Sequence, residues 1–238
     1  MKLSAPIFRL KRQAKLLSRE LNTPLHATLD QVAQREGYQS WGHLAASGSD
    51  DRAAPKSLTQ FAPGDLVLLG ARPGHGKTLL GVDLAVEAAR AGRRSFFFSL
   101  EENESILCDR VRDLGFDMTA IGNALVIDTS DDICADYIVE RVGRRPGDGA
   151  MVVIDYLQLL DQKRRNPELA GQVATLAGFA KATLSTVVTM SQIDRSFDVG
   201  SKPIPSLSDV RLPNPVDLSL FTKTCFLHNG EVQIEALA

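Results

Sequence analysis

Leu10, Ala14, Leu17 and Leu21 recur every third or fourth position, while Arg9, Arg12, Lys15 and Arg19 fall off that stripe. Residues so spaced share one helix face, so the stretch from Phe8 to Leu21 predicts an amphipathic helix whose outer face is basic. Thr23-Pro24 reads as an N-cap followed by proline in the first helical position, and Leu25, Leu29, Val32 and Ala33 carry a second helix to Gly37. Ser40 reads as the cap of a short third helix through Trp41 and Leu44, with Trp41 anchoring a small core. The stretch 48–57, GSDDRAAPKS, has linker composition and separates a helical module, residues 1–47, from the rest.

After the linker the pattern changes to short, continuously apolar runs: LVLLG (66–70), SFFFSL (95–100), ALVID (124–128), MVVID (151–155) and TVVTM (186–190). A strand with one wet face alternates apolar and polar residues. Unbroken apolar runs separated by helix-length segments predict instead a parallel sheet covered by helices on both faces, an α/β domain over residues 58–238. The end differs, because DLSLFTKTCFL, His228-Asn229-Gly230 and EVQIEAL read as a β-hairpin around an Asn-Gly turn, with His228 flanking that turn.

Composition adds little to this picture, and charge adds more. Apolar residues are 44% and charged residues 24%, which are ordinary globular values, and the net charge is −2. Residues 1–47 nevertheless hold seven Lys and Arg against three Asp and Glu, a balance of +4, which leaves −6 on the remainder. Cys108, Cys134 and Cys225 lie far apart, match no metal spacing and fit a reducing compartment. No stretch approaches the ~20 apolar residues of a membrane span, and the expectation is a cytoplasmic protein with no membrane partner.

The candidate chemistry starts at ARPGHGKT, residues 71–78, between an apolar strand and a helical pattern. A phosphate-binding loop needs that context, and its usual form is G-x-x-x-x-G-K-[ST]. Here Ala71 stands in place of the first glycine, followed by Arg72, Pro73, Gly74 and His75, and then by Gly76, Lys77 and Thr78. The loop's N–H groups and the helix N-terminus suit nucleotide phosphates, Lys77 the outer phosphates, and the Thr78 hydroxyl Mg²⁺. Ala71 is a defect only if its position demands positive φ or an approach closer than a methyl group allows. Asp155, ending MVVID, is expected on the metal side of the site, Glu101 after FFFSL as the base for an attacking water, and Gln192 after VVTMS as a γ-phosphate sensor. Glu102 and Glu104 are expected to favour the N-terminus of the next helix.

These motifs together resemble the RecA-like ATPase core of DnaB-type replicative helicases. PGDLVLLGARPGHGKT, FFFSLEEN, VVIDYLQLL, SQIDRSFD and SLSDVRLPNPVDLSLF match that family's consecutive motifs in order, and an A-R-P start to the loop is usual there. The resemblance implies a RecA-like P-loop NTPase fold, ATP hydrolysis with Mg²⁺, a homo-oligomeric ring, possible as a hexamer, and single-stranded DNA as partner. It assigns Lys77 and Thr78 to phosphate and metal, Glu101 as catalytic base, Asp155 as metal-side carboxylate and Gln192 as sensor.

In such helicases the loops after the Asp155-type and Gln192-type strands line a central channel. Here they contain Lys163, Arg164, Arg165, Arg195, Lys202 and Arg211, which suit phosphates, with Phe197 as the one nearby stacking aromatic. Two features depart from the resemblance. The short basic module stands in place of a long helical N-terminal domain, and its partner is open. Phe226-Leu227-His228 stands where the family carries Lys-x-Arg, a finger toward the neighbouring subunit's γ-phosphate. Such a finger is worth ~10³–10⁵ in rate, so slow hydrolysis is expected unless Arg195, Arg211 or a partner substitutes. A slow ATP-dependent switch, or a KaiC- or RadA-like relative, is the competing expectation.

Overall fold

A computed structural model of the chain describes residues 4–5, 7–41, 44, 53–160, 166–194, 197, 204–211, 214–228 and 231–237. The chain divides into two compact units, Met1–Arg52 and Ala53–Ala238.

In the first unit, helices α1 (Ile7–Glu20) and α2 (Leu25–Arg35) pack through Leu10, Ala14, Val32 and Ala33, closed by Leu44 and the partly buried Trp41. The Trp41 N–H donates to the Asp30 carboxylate at 2.8 Å, and the Leu44 N–H to the Ser40 carbonyl at 3.0 Å. The second helix starts one residue later than expected. Pro24, with ψ 139°, is its N-cap and, having no side-chain acceptor, makes no side-chain cap bond, while the Thr23 hydroxyl donates back to the Leu21 carbonyl. The extended ψ of Pro24 puts it in the cap position, so Thr23 stands one residue too early to cap the helix.

In the second unit, α3 (Ala53–Leu58) occupies the latter part of the stretch expected as linker, because Ala54 is fully buried in the domain core. The sheet follows, with β1 (Leu66–Ala71), β2 (Ser95–Ser99), β3 (Leu125–Asp128), β4 (Met151–Asp155), β5 (Thr186–Gln192), β6 (Lys223–His228) and β7 (Glu231–Ala236). Their order is β3-β2-β4-β5-β1-β6-β7, parallel throughout except for β7 against β6. Every residue of β1, β2 and β4 is buried, as continuously apolar strands require.

Alternation still decides which layer each residue joins. Val67 and Leu69 pack with α4 (Lys77–Arg90) and α5 (Glu104–Asp113), while Leu66 and Leu68 pack with α7 (Ala135–Val142) and α8 (Leu169–Thr183); α6 (Met118–Ile121) is a single turn. The hairpin register pairs His228 with Glu231, and residues 229 and 230, expected as the Asn-Gly turn, lie outside the described residues. No helix among the described residues is long and apolar enough to cross a membrane.

Candidate nucleotide site

Because β1, β2, β4 and β5 run parallel, their C-terminal ends meet at one edge of the sheet. The register sets Gly70 beside Ser191, Ala71 beside Gln192, and Ser99 beside Asp155. Four segments far apart in sequence therefore empty into one crevice, the usual ligand position in open α/β sheets.

Ala71 is the last residue of β1, buried in the ladder with no positive φ. Its methyl group costs nothing there, and the turn is made further on, where Gly74 (φ 79°) and Gly76 (φ 88°) take left-handed conformations. Gly70, one residue earlier, is the position that needs to be bare, since a Cβ there would lie 2.6 Å from the Phe226 ring. After Gly76 the chain enters α4 with no side-chain cap, which leaves the first-turn N–H groups for an anion. Arg72 and Pro73 complete the loop, whose turn is closed by the His75 N–H bonded to the Arg72 carbonyl at 3.2 Å.

The side chains converge on Asp155. Lys77 Nζ lies 3.2 Å from Asp155 Oδ1, and the Thr78 hydroxyl donates to Asp155 Oδ2 at 2.8 Å. Asp155 is fully buried and Lys77 nearly so, yet neither Lys77 Nζ nor Asp155 Oδ1 makes a hydrogen bond; their contact has ion-pair distance without hydrogen-bond alignment. The ammonium also sits 4.5 Å from the centre of the Tyr156 ring. A buried ion pair with unmet hydrogen-bonding capacity on both partners fits a phosphate at the lysine and a hard cation shared by Thr78 and Asp155.

Glu101 stands on the turn leaving β2. The Ser99 hydroxyl holds this turn, accepting from the Glu101 N–H at 3.3 Å and the Glu102 N–H at 2.9 Å, while the Leu100 N–H bonds the Asp155 carbonyl at 2.9 Å. Partial burial, followed by the Asp155 charge, pushes the Glu101 carboxyl above its ordinary range, with Lys77 opposing. That direction suits a base working nearer neutrality.

Glu102 departs from expectation: it pairs with Arg110 instead of facing a helix end, and the Arg110 guanidinium is held in its charged form chiefly by that hydrogen bond. The Asn103 side chain caps α5 by accepting from the Ile106 N–H at 3.0 Å, with Glu104 in the first turn.

On the other side of the crevice, the Arg211 N–H donates to the Gln192 carbonyl at 2.8 Å, and Gln158 donates to the Ser191 hydroxyl at 2.6 Å and to the Arg211 carbonyl. Gln158 thus ties the segment after β4 to β5 and to the segment carrying Arg211. Among the nucleic-acid candidates, Arg211 is exposed, whereas Lys163, Arg164, Arg165, Arg195 and Lys202 lie outside the described residues. Phe197 is buried against Ile193 and Phe226, so it is a packing residue, not an open platform for bases.

His228 does more than flank the turn. It is buried, stacked on His75 of the loop at 5.0 Å between ring centres, with Phe197 against its edge. Tyr156, Gln158 and Ser99 also belong to the site, although sequence reasoning assigned them no role. The first two lie in VVIDYLQLL, where a polar residue inside an apolar run was the available signal.

A parallel sheet with this strand order, and a phosphate loop beside a strand-ending aspartate, define the RecA-like class of P-loop NTPase fold. The chain matches the model of the DnaB-like helicase C terminal domain over residues 55–114 and 114–216, and it belongs to that family. A probable plasmid replicative DNA helicase of Chlamydia muridarum is 28% identical over 181 residues, 63% of this chain and 40% of that protein. The replicative DNA helicase DnaB of Haemophilus influenzae is 27% identical over 220 residues, 77% of this chain and 47% of that protein. The chain thus spans less than half the length of these relatives. In fold it is similar to a DnaB-like replicative helicase whose structure is described with its interactions with primase (TM-score 0.58, 19% identity, 92% of this chain and 66% of that one).

Proposed function

We propose that this chain is a Mg²⁺-dependent ATPase of the replicative-helicase type, acting on single-stranded DNA as a homo-oligomeric ring. The observation that carries the reading is the buried Lys77–Asp155–Thr78 cluster at the mouth of the phosphate loop, with hydrogen-bonding capacity left over on Lys77 and Asp155. The loop from Ala71 to Gly76 and the first turn of α4 cradle phosphates through backbone N–H groups, and Lys77 neutralises their outer charge. Thr78 and Asp155 hold the cation, which when bound draws electron density from the phosphates. Glu101, with its carboxyl poised upward, accepts a proton from the attacking water. Gln192 reports the γ-phosphate, and Gln158 links that strand to the segment carrying Arg211.

One observation favours a second reading, a slow nucleotide-dependent switch. The end of β6 offers no cation: Phe226 and His228 are both buried, and His228 stacks on the protein's own His75. ATP hydrolysis measured with and without single-stranded DNA separates the two. A motor is stimulated by DNA, and a switch hydrolyses slowly and indifferently to it. Lys77→Ala and Glu101→Gln variants with parental turnover would overturn both readings.

A further inference from the structure

Lys77 is held by less than its burial requires. Its ammonium is nearly enclosed, makes no hydrogen bond among the described residues, and meets Asp155 Oδ1 at 3.2 Å without hydrogen-bond alignment. A charge taken out of water in this way is costly unless another group stabilises it. The Tyr156 ring does so: its centre lies 4.5 Å from Lys77 Nζ, inside the ~6 Å over which the negative face of an aromatic ring attracts a cation. The ring's own place is fixed on both sides along the chain. Asp155, just before it, ends β4 fully buried, and Gln158, two residues after it, is tied to the Ser191 hydroxyl and the Arg211 carbonyl. The ring also packs against the core layer that contains Leu69, Leu80 and Val153.

We propose that Tyr156 is a positioning residue for ATP binding, its ring face holding the Lys77 ammonium in a pose that leaves the lysine's N–H donors for phosphate. This inference rests on the nucleotide reading given above. A ring face stabilises the charge through its quadrupole and takes up no directed hydrogen bond. Without the face, the nearest alternative for Lys77 is to close onto Asp155 Oδ1 as an aligned, charge-assisted hydrogen bond. That bond would occupy both a donor needed by the phosphates and an oxygen of the metal-side carboxylate. ATP would then bind only the fraction of molecules in which the bond is open, and its apparent affinity would fall by that fraction.

The test is binding of a fluorescent ATP analogue, with Mg²⁺, to the whole chain as the ring at position 156 is changed. Tyr156→Phe keeps the face and should bind within about twofold of the parent, whereas Tyr156→Leu should bind about tenfold more weakly. Phenylalanines carrying one, two and three ring fluorines at this position should lower affinity step by step, because fluorine drains the face while the shape hardly changes. A ring that only fills space gives no such order. A double-mutant cycle in denaturant reads the contact without nucleotide. The effect of Tyr156→Leu on the unfolding constant should shrink by about threefold or more in a Lys77→Met background. Affinity that ignores fluorination, Tyr156→Phe as weak as Tyr156→Leu, or an absent coupling overturns the proposal while the parent still binds the analogue. A parent that shows the coupling and binds no analogue overturns the nucleotide reading, and with it the role given to this ring.

Discussion

Asp155 is where the site's chemistry concentrates, because a fully buried carboxylate touches both the lysine and the threonine of the phosphate loop. Lys77→Ala leaves that carboxylate without its ion-pair partner, so equilibrium unfolding should report a loss of about 3–5 kcal/mol alongside the loss of nucleotide binding. Glu101 behaves oppositely. Its folded carboxyl titrates above the unfolded value because burial and the Asp155 charge disfavour ionisation. This group's contribution to stability is therefore present below the unfolded pKa and lost as pH rises through the folded one. Relative to the parent, Glu101→Gln should gain in melting temperature between about pH 4 and neutrality while losing hydrolysis, and a melt series across that range checks the sign. Ala71 carries a lesson about motif reading. The missing glycine lies inside a strand, where its φ is ordinary, and steric pressure falls instead on Gly70. That distinction depends on the Phe226 ring of β6, more than 150 residues away in sequence, and no local pattern discloses it.

At the scale of elements, α4 is the part most tightly specified by its neighbours. A Cβ at Gly81 would meet Met190 Cε at 1.9 Å and Val153 Cγ1 at 3.2 Å, so helix and sheet approach closely at that glycine. Gly81→Ala is expected to cost about 1–3 kcal/mol through overpacking, read from denaturant midpoints at constant slope. Asn103→Ala removes the cap of α5 and should cost about 1 kcal/mol by the same measurement. The strands were legible because buried parallel strands cannot alternate, and the five apolar runs became β1 to β5 with shifts of a residue or two at their ends. Capping is harder to read. Thr23-Pro24 has the right residue types for a helix start but the wrong geometry, and the cap Asn103 stands among glutamates that are themselves plausible at a helix start.

For the whole molecule, sheet order does what no segment does alone: it brings Ala71, Glu101, Asp155 and Gln192 to one edge. The residues in this constellation could be picked out from their places after apolar strands, but the contacts among them could not, because the Lys77–Tyr156, Gln158–Ser191 and His75–His228 contacts exist only after the strands are ordered. Assembly belongs to this scale too. Light scattering with a non-hydrolysable ATP analogue should give a mass several times 25.8 kDa if the chain forms a ring, and a single-chain mass in both conditions favours the switch. The most direct measurement of the central claim is steady-state ATP hydrolysis with Mg²⁺ by the parent, Lys77→Ala and Glu101→Gln in parallel with binding of a fluorescent ATP analogue. The predicted result is hydrolysis in the parent alone, with binding kept in Glu101→Gln and lost in Lys77→Ala. Equal hydrolysis in all three proteins would contradict the site described above.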